Sequence, residues 1–354
     1  MSDDTYTRLR EFLDKLPAGY PETPTGLEIK ILKKLFTLEQ AELTVQLSES
    51  PESVAEIAQR IGADESILAD KLEDMALRGL IFRVREGDQK KYQAFQFIIG
   101  IYEFQVNAID KEFSEMMEEY LPYFGLALAE VKTSQLRVVP LESSVGFSGA
   151  VAPYNQIREL VRQQEIMAVT PCICRKEQGF LGNECQKPMD TCLSFGKFAQ
   201  YYIDNNFGRQ VDVAGALEVL DVAEEHGLVL SPTNSQEIEA ICCCCSCCCP
   251  TLKYTKIAPR PADHLTTYYD AKIDPDLCTA CEECIDRCEM DAIKLDDTAE
   301  IIDGRCIGCG LCVPTCASEA ITMHLKPEIS VPPITFEETF EQIRSERKLD
   351  SVLN

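Results

Sequence analysis

One cysteine pattern is written twice in the last quarter of the sequence. Cys278, Cys281, Cys284 and Cys288 are followed 28 positions later by Cys306, Cys309, Cys312 and Cys316, and both sets read C-x2-C-x2-C-x3-C. The chain holds 19 cysteines but only three histidines (His226, His264 and His324) and no tryptophan. None of the cysteines falls in residues 1–171. An odd, clustered set in a chain without an export signal does not read as a disulfide framework. Thiolates gathered at short spacings read instead as metal or iron–sulfur ligands, and the scarcity of histidine disfavours His-rich zinc sites.

The remaining composition narrows the class. A chain of 354 residues allows two or three domains. With 45% hydrophobic and 26% charged residues it reads as an ordinary globular protein. The net charge of −25 argues against a broad nucleic-acid or anionic-membrane surface. No apolar run is long enough to span a bilayer, so membrane insertion is not expected. The acidic start at Ser2, Asp3 and Asp4 lacks a signal-peptide core, and a cytoplasmic location is expected.

The expected fold class is α+β and multidomain. In residues 1–95, Ser50 and Pro51 read as the cap and first position of a helix carrying Val54, Ile57 and Ile61. A second helix runs from near Asp64 to Gly79, with Leu68, Leu72 and Met75 on one face. Two strands then flank the turn at Glu86, Gly87 and Asp88. This order resembles a winged helix-turn-helix domain. Residues 96–134 read as a linking amphipathic helix, from about Phe97 to Leu121. Residues 135–265 read as a cysteine-rich mixed α/β module, 266–326 as the module of the doubled motif, and 327–354 as a tail with one helical segment.

The doubled motif resembles the bacterial-type two-cluster [4Fe–4S] ferredoxin, in which each motif lends its fourth cysteine to the other cluster. The resemblance implies Cys278, Cys281, Cys284 and Cys316 on one cluster, and Cys306, Cys309, Cys312 and Cys288 on the other. Where that family carries proline after the fourth cysteine, this chain has Glu289 and Ala317. Between residues 272 and 326 there are five basic and twelve acidic residues, a surface suited to a basic redox partner.

Two further cysteine groups lie upstream. Pro171, Cys172, Ile173, Cys174 and Arg175 are followed by Cys185 and Cys192, four thiols for a cluster or for zinc. From Cys242 to Cys249 every residue but Ser246 is cysteine, a run that does not read as a core strand. Strict alternation places Cys242 and Cys244 on one face and Cys243 and Cys245 on the other. Cys242, Cys245 and Cys248 also form C-x-x-C pairs, and a site shared between both segments is equally allowed. The candidate ligands here are Cys172, Cys174, Cys185, Cys192, Cys242, Cys244, Cys245, Cys247, Cys248 and Cys249. Tandem cysteine pairs resemble the cysteine-rich domains of heterodisulfide-reductase-like proteins, although the glycine after the pair is missing. The overall order is similar to a group of iron–sulfur proteins from anaerobes.

Nucleotide-binding loops, nucleophile elbows and zinc-protease motifs are absent. The expected cofactors are two [4Fe–4S] clusters and at least one further iron–sulfur cluster in the central module, with zinc as its alternative. The leading functional expectation is an electron-transfer protein or redox-complex subunit, rather than a stand-alone enzyme. It would pass low-potential electrons to a partner protein. A redox-responsive regulator is the alternative, with Arg83, Arg85, Lys90 and Lys91 as candidate DNA-phosphate contacts. Against it, the segment 64–79 holds five acids and two bases, so DNA is disfavoured. A reductase whose active site is a central cluster is the third reading. The expected partners are a redox protein and, through the N-terminal region, a second copy of the chain.

Overall fold

The computed structural model describes residues 2–129, 131–145, 152–327 and 330–349. The chain opens with α1 (Ser2–Asp14), α2 (Leu27–Leu35) and α3 (Leu38–Thr44). It continues through β1 (Glu52–Ser53), α4 (Val54–Ile61), α5 (Glu65–Leu77), β2 (Phe82–Glu86) and β3 (Gln89–Gln93). The three strands form an antiparallel sheet in the order β1-β3-β2. The cap of α4 is Ser53, not Ser50. Its hydroxyl accepts from the Glu56 N–H at 3.3 Å, and the Glu56 carboxylate accepts from the Ser53 N–H at 2.8 Å. That reciprocal box satisfies two free N–H groups at once, and Ser50 followed by Pro51 has no equivalent.

The single helix expected from Phe97 to Leu121 is two structures. Phe97–Ile101 is an irregular turn in which Ile98, Ile99 and Gly100 leave helical geometry, with Ile99 at φ 56°. The Glu103 carboxylate accepts from the freed Gly100 N–H at 2.7 Å. A new helix, α6 (Lys111–Ala127), starts where Asp110 accepts from the Phe113 N–H at 2.7 Å, and it runs through Pro122. Two acids that can serve as caps divide a segment whose apolar spacing alone suggests continuity. The apolar core of this half extends from Tyr6 to Phe124 and takes in Ile173, Phe198, Tyr201 and Phe207 from the next region.

The central region comprises β4 (Arg137–Val138), α7 (Glu142–Val145), α8 (Ile157–Arg162), β5 (Met167–Pro171), α9 (Ile173–Phe180) and β6 (Asp190–Phe195). It continues with α10 (Gly196–Asp204), β7 (Arg209–Val211), α11 (Val213–Glu225), β8 (Val229–Pro232), β9 (Ala240–Cys244) and α12 (Pro250–Ile257). Five strands form an antiparallel sheet in the order β7-β5-β6-β9-β8. The cysteine run therefore does enter an inner strand, contrary to its sequence reading. The strand tolerates it because its cysteines are small and apolar enough to bury: Cys243 and Cys244 join the central core and Cys242 packs at its edge.

The C-terminal region contains β10 (Thr266–Thr267), which pairs in parallel with β4. It adds β11 (Tyr269–Ile273), α13 (Glu283–Asp286), β12 (Ile293–Leu295), β13 (Ala299–Ile301) and β14 (Ile321–Leu325). β11 pairs with β14 and β12 with β13, both antiparallel. Met290, Ala292, Ile307 and Leu311 of this region pack into the central core. Finally α14 (Phe336–Arg347) crosses back over the molecule. Arg344 bonds the Glu49 carboxylate, Arg347 donates to the Leu16 carbonyl at 2.8 Å, and the Thr339 hydroxyl donates to the Asn234 carbonyl at 2.7 Å. Among the described residues no helix is long and apolar enough to cross a membrane.

Candidate metal centres

The 28-residue repeat is repeated in backbone conformation. Ala280, Glu282 and Asp291 adopt left-handed φ angles of 55°, 68° and 49°. Their counterparts Gly308, Gly310 and Glu319 do the same at 68°, 72° and 54°. These turns curl each C-x2-C-x2-C segment so that its side chains converge. At Gly308 the curl also brings the chain against β11: a Cβ there would lie 2.1 Å from the Tyr269 carbonyl oxygen.

Two cavities result. One is lined by Cys278, Cys281 and Cys284 of the first motif and by Cys316 of the second. The other is lined by Cys306, Cys309 and Cys312 together with Cys288 of the first motif. Main-chain N–H groups aim at the sulfurs. Ala299 donates to Cys278 at 3.4 Å, Ala320 to Cys316 at 3.3 Å, Ala271 to Cys306 at 3.4 Å and Ala292 to Cys288 at 3.2 Å. Donors of this kind stabilise negative charge on sulfur. Four thiols around each apolar-walled space, backed by amide donors, fit a cysteine-ligated cluster.

The central thiols divide differently from their sequence grouping. Cys185, Cys245, Cys247 and Cys248 have their sulfurs within 4.8 Å of one another. Cys185 lies 3.9 Å from Cys245 and 3.6 Å from Cys247, and Cys247 lies 3.6 Å from Cys248. A tetrahedral site with metal–sulfur bonds of about 2.3 Å has sulfur–sulfur edges of about 3.8 Å. The group therefore has the dimensions of a single-ion site. Against burial, the Cys248 thiol and the Arg175 charge lower Cys245 to about 5.

Cys185 thus separates from Cys172, Cys174 and Cys192, because the loop between α9 and β6 carries it over the turn that follows β9. Cys242 separates from Cys245 and Cys248, because β9 is extended and a C-x-x-C pair there does not converge. Instead Cys192 stands directly across from Cys242 on neighbouring strands. Contacts run from Cys174 to Cys172, then to Cys192, Cys242, Cys244 and Cys249. Cys249 in turn lies close enough to Cys174 to act on it electrostatically. Cys174 and Cys192 donate to Cys172 and hold it well below the ordinary thiol range. Cys192 and Cys244 likewise lower Cys242 to about 6. Cys192, placed between the two acceptors, is pushed up.

Arg175 lies between the two groups and is 2% exposed. It donates to the Pro188 carbonyl at 2.8 Å, the Thr191 hydroxyl at 2.5 Å and the Cys243 carbonyl at 2.9 Å. Its Nε has no partner among the described residues, while Cys172, Cys192 and Cys245 lie around it. A buried cation beside orphan thiols fits sites that become anionic on binding metal.

The wing cations are placed elsewhere. Arg83 bonds Glu73 at 2.8 Å and Asp204 at 3.3 Å, and Arg85 pairs with Asp204. Lys90 pairs with Glu73 at 2.8 Å and Lys91 with Glu86 at 2.7 Å. All four of the residues expected to meet phosphates face carboxylates of the same chain. One participant was missed by sequence reasoning: Glu289, whose carboxylate reaches Ser246 inside the cysteine run. Its signal was the departure from proline at that position.

Comparison with known proteins agrees with the first motif. Residues 271–294 match the 4Fe-4S binding domain family, so the chain carries a domain of that class near its C-terminal end. No curated protein and no solved structure matches the chain.

Proposed function

We propose that the chain is an iron–sulfur electron-transfer protein with two [4Fe–4S] clusters in its C-terminal module. The carrying observation is the pair of cavities in which each motif supplies three thiols to one site and its fourth to the other. A cluster held in such a site accepts or gives one electron at a time. The chain sets the distance: Cys284 and Cys288 are joined by one short turn of backbone yet face different cavities. The acidic surface of 272–326 suits a basic partner and favours low potentials. The segment from Ser53 to Gln93 has the element order of a winged helix. Its paired cations and acidic α5 favour a protein-docking or self-association role over DNA binding.

The test is anaerobic purification of the full chain, with iron, sulfide and zinc measured per chain and EPR recorded after reduction. About eight iron and eight sulfide from the two ferredoxin sites, with a spin-coupled spectrum, is the expected result. Zinc alone at those sites would overturn the reading.

A further inference from the structure

Ten of the eleven central cysteines fall into the four-thiol group and the six-thiol arc, and Cys243 belongs to neither. We propose that Cys172, Cys174, Cys192, Cys242, Cys244 and Cys249 hold a second metal centre of the central module, one that binds at least two thiophilic ions. This centre is distinct from the four-thiol site and does not depend on the electron-transfer reading.

Ligand number is the first argument. One tetrahedral ion takes four thiolates. A sulfide-containing cluster instead carries its thiolates on different metal atoms, so they stand farther apart than the edges of one tetrahedron. The six are strung out along an arc in which Cys192 and Cys242 stand across from each other on neighbouring strands, which fits ligands spread over several metal atoms. Among the described residues, no three of these six gather within 4.8 Å of one another as the other four thiols do. The arc is therefore too open for a single ion.

The second argument is construction. Cys192 and Cys242 are set by strand register, and Cys244 by alternation two residues on. Cys172 and Cys249 each stand at the start of an eight-residue helix, α9 and α12. Cys174 packs against both large apolar cores, so the arc is enclosed between them. Six unligated thiols brought together there would be an oxidation hazard. The two groups are also continuous in the chain. Cys244 and Cys245, and again Cys248 and Cys249, are consecutive residues assigned to different groups, about 3.8 Å apart at Cα.

The test uses the full-length protein, purified without air, with iron, zinc and sulfide measured per chain. Cys192→Ala combined with Cys242→Ala should lose at least two metal equivalents. Cys243→Ala, one residue away, should lose none. Cys185→Ala with Cys247→Ala should spare the metal that the first double variant loses. Lost iron accompanied by sulfide supports the site, and lost zinc without sulfide would overturn it, because zinc needs four of these sulfurs around one tetrahedron. Full metal retention by the first variant, loss of one equivalent or less, or equal loss from Cys243→Ala would overturn it. If circular dichroism shows the double variant unfolded, Cys249→Ser gives the same readout at the rim. The reduced EPR spectrum of the C-terminal module reports on the electron-transfer proposal separately.

Discussion

One carboxylate oxygen of Glu289 accepts two hydrogen bonds from Ser246, from its main-chain N–H and from its hydroxyl, each at 2.7 Å. Glu289 follows a cysteine of the second cavity, and Ser246 separates two cysteines of the four-thiol group. The contact joins two candidate centres through one side chain. Replacing Glu289 with proline would restore the usual ferredoxin residue and remove both bonds. We expect Glu289→Pro to keep the reduced EPR signal of the C-terminal module while the four-thiol site loses metal affinity. Leaving a half-buried donor unmade costs about 1–3 kcal/mol. Undiminished metal binding in the variant would show that the contact is incidental.

Crossed ligation makes a reciprocal prediction. Cys316→Ser should perturb the cluster of the first motif, and Cys288→Ser that of the second. EPR of the two variants checks this, and each fourth cysteine affecting only its own motif would refute the pairing.

Gly308→Ala should destabilise the C-terminal module. A non-glycine residue in the left-handed region costs roughly 1–2 kcal/mol, and the new Cβ would meet the Tyr269 carbonyl at 2.1 Å. Thermal unfolding should shift down and iron content fall. The partner position already carries Ala280 at φ 55°, so Ala280→Gly should not weaken the module.

Arg83 is buried between Glu73 and Asp204. Its replacement by alanine leaves Glu73 paired with Lys90 and Asp204 with Arg85, so thermal unfolding should shift down by the loss of charged hydrogen bonds alone, about 1.5–3 kcal/mol. DNA binding by the full chain should be weak, indifferent to sequence and abolished near ~150 mM salt. A tight, sequence-specific footprint at that salt would reinstate the regulator reading.

Glu239 is largely buried, and burial raises its carboxyl to about 7 despite Lys197 at 3.0 Å. The folded chain thus binds this proton more tightly than the unfolded chain does. Stability from this group is complete below its ordinary value near 4.5 and declines as pH rises toward 7. Denaturant melts across pH 4 to 8 should show the decline, and Glu239→Gln should flatten it.

The 4Fe-4S domain at 271–294 was legible because the spacing of its cysteines is nearly local. Within each motif, three ligands span seven residues and the turns between them repeat. The central grouping was not, because strand pairing decides it: Cys192 and Cys242 are 50 positions apart and meet only when β6 and β9 align. Alternation alone placed Cys242 and Cys244 on one face, but Cys243 and Cys244 are both buried in the strand, so burial did not separate the two faces. The expectation for 97–121 failed for a different reason, since apolar spacing does not register a cap such as Asp110.

Helix α14 has two kinds of grip. Phe336 and Ile343 are buried beneath it, while Arg344, Arg347 and Glu337 reach Glu49, Asp14 and Lys197 through ion pairs. Electrolyte screens such partly buried pairs only weakly, and leaves apolar anchors untouched. Thr339 adds a neutral hydrogen bond to the Asn234 carbonyl that salt does not reach. The helix is thus a strap whose hold on both halves of the chain should persist from dilute buffer into concentrated salt.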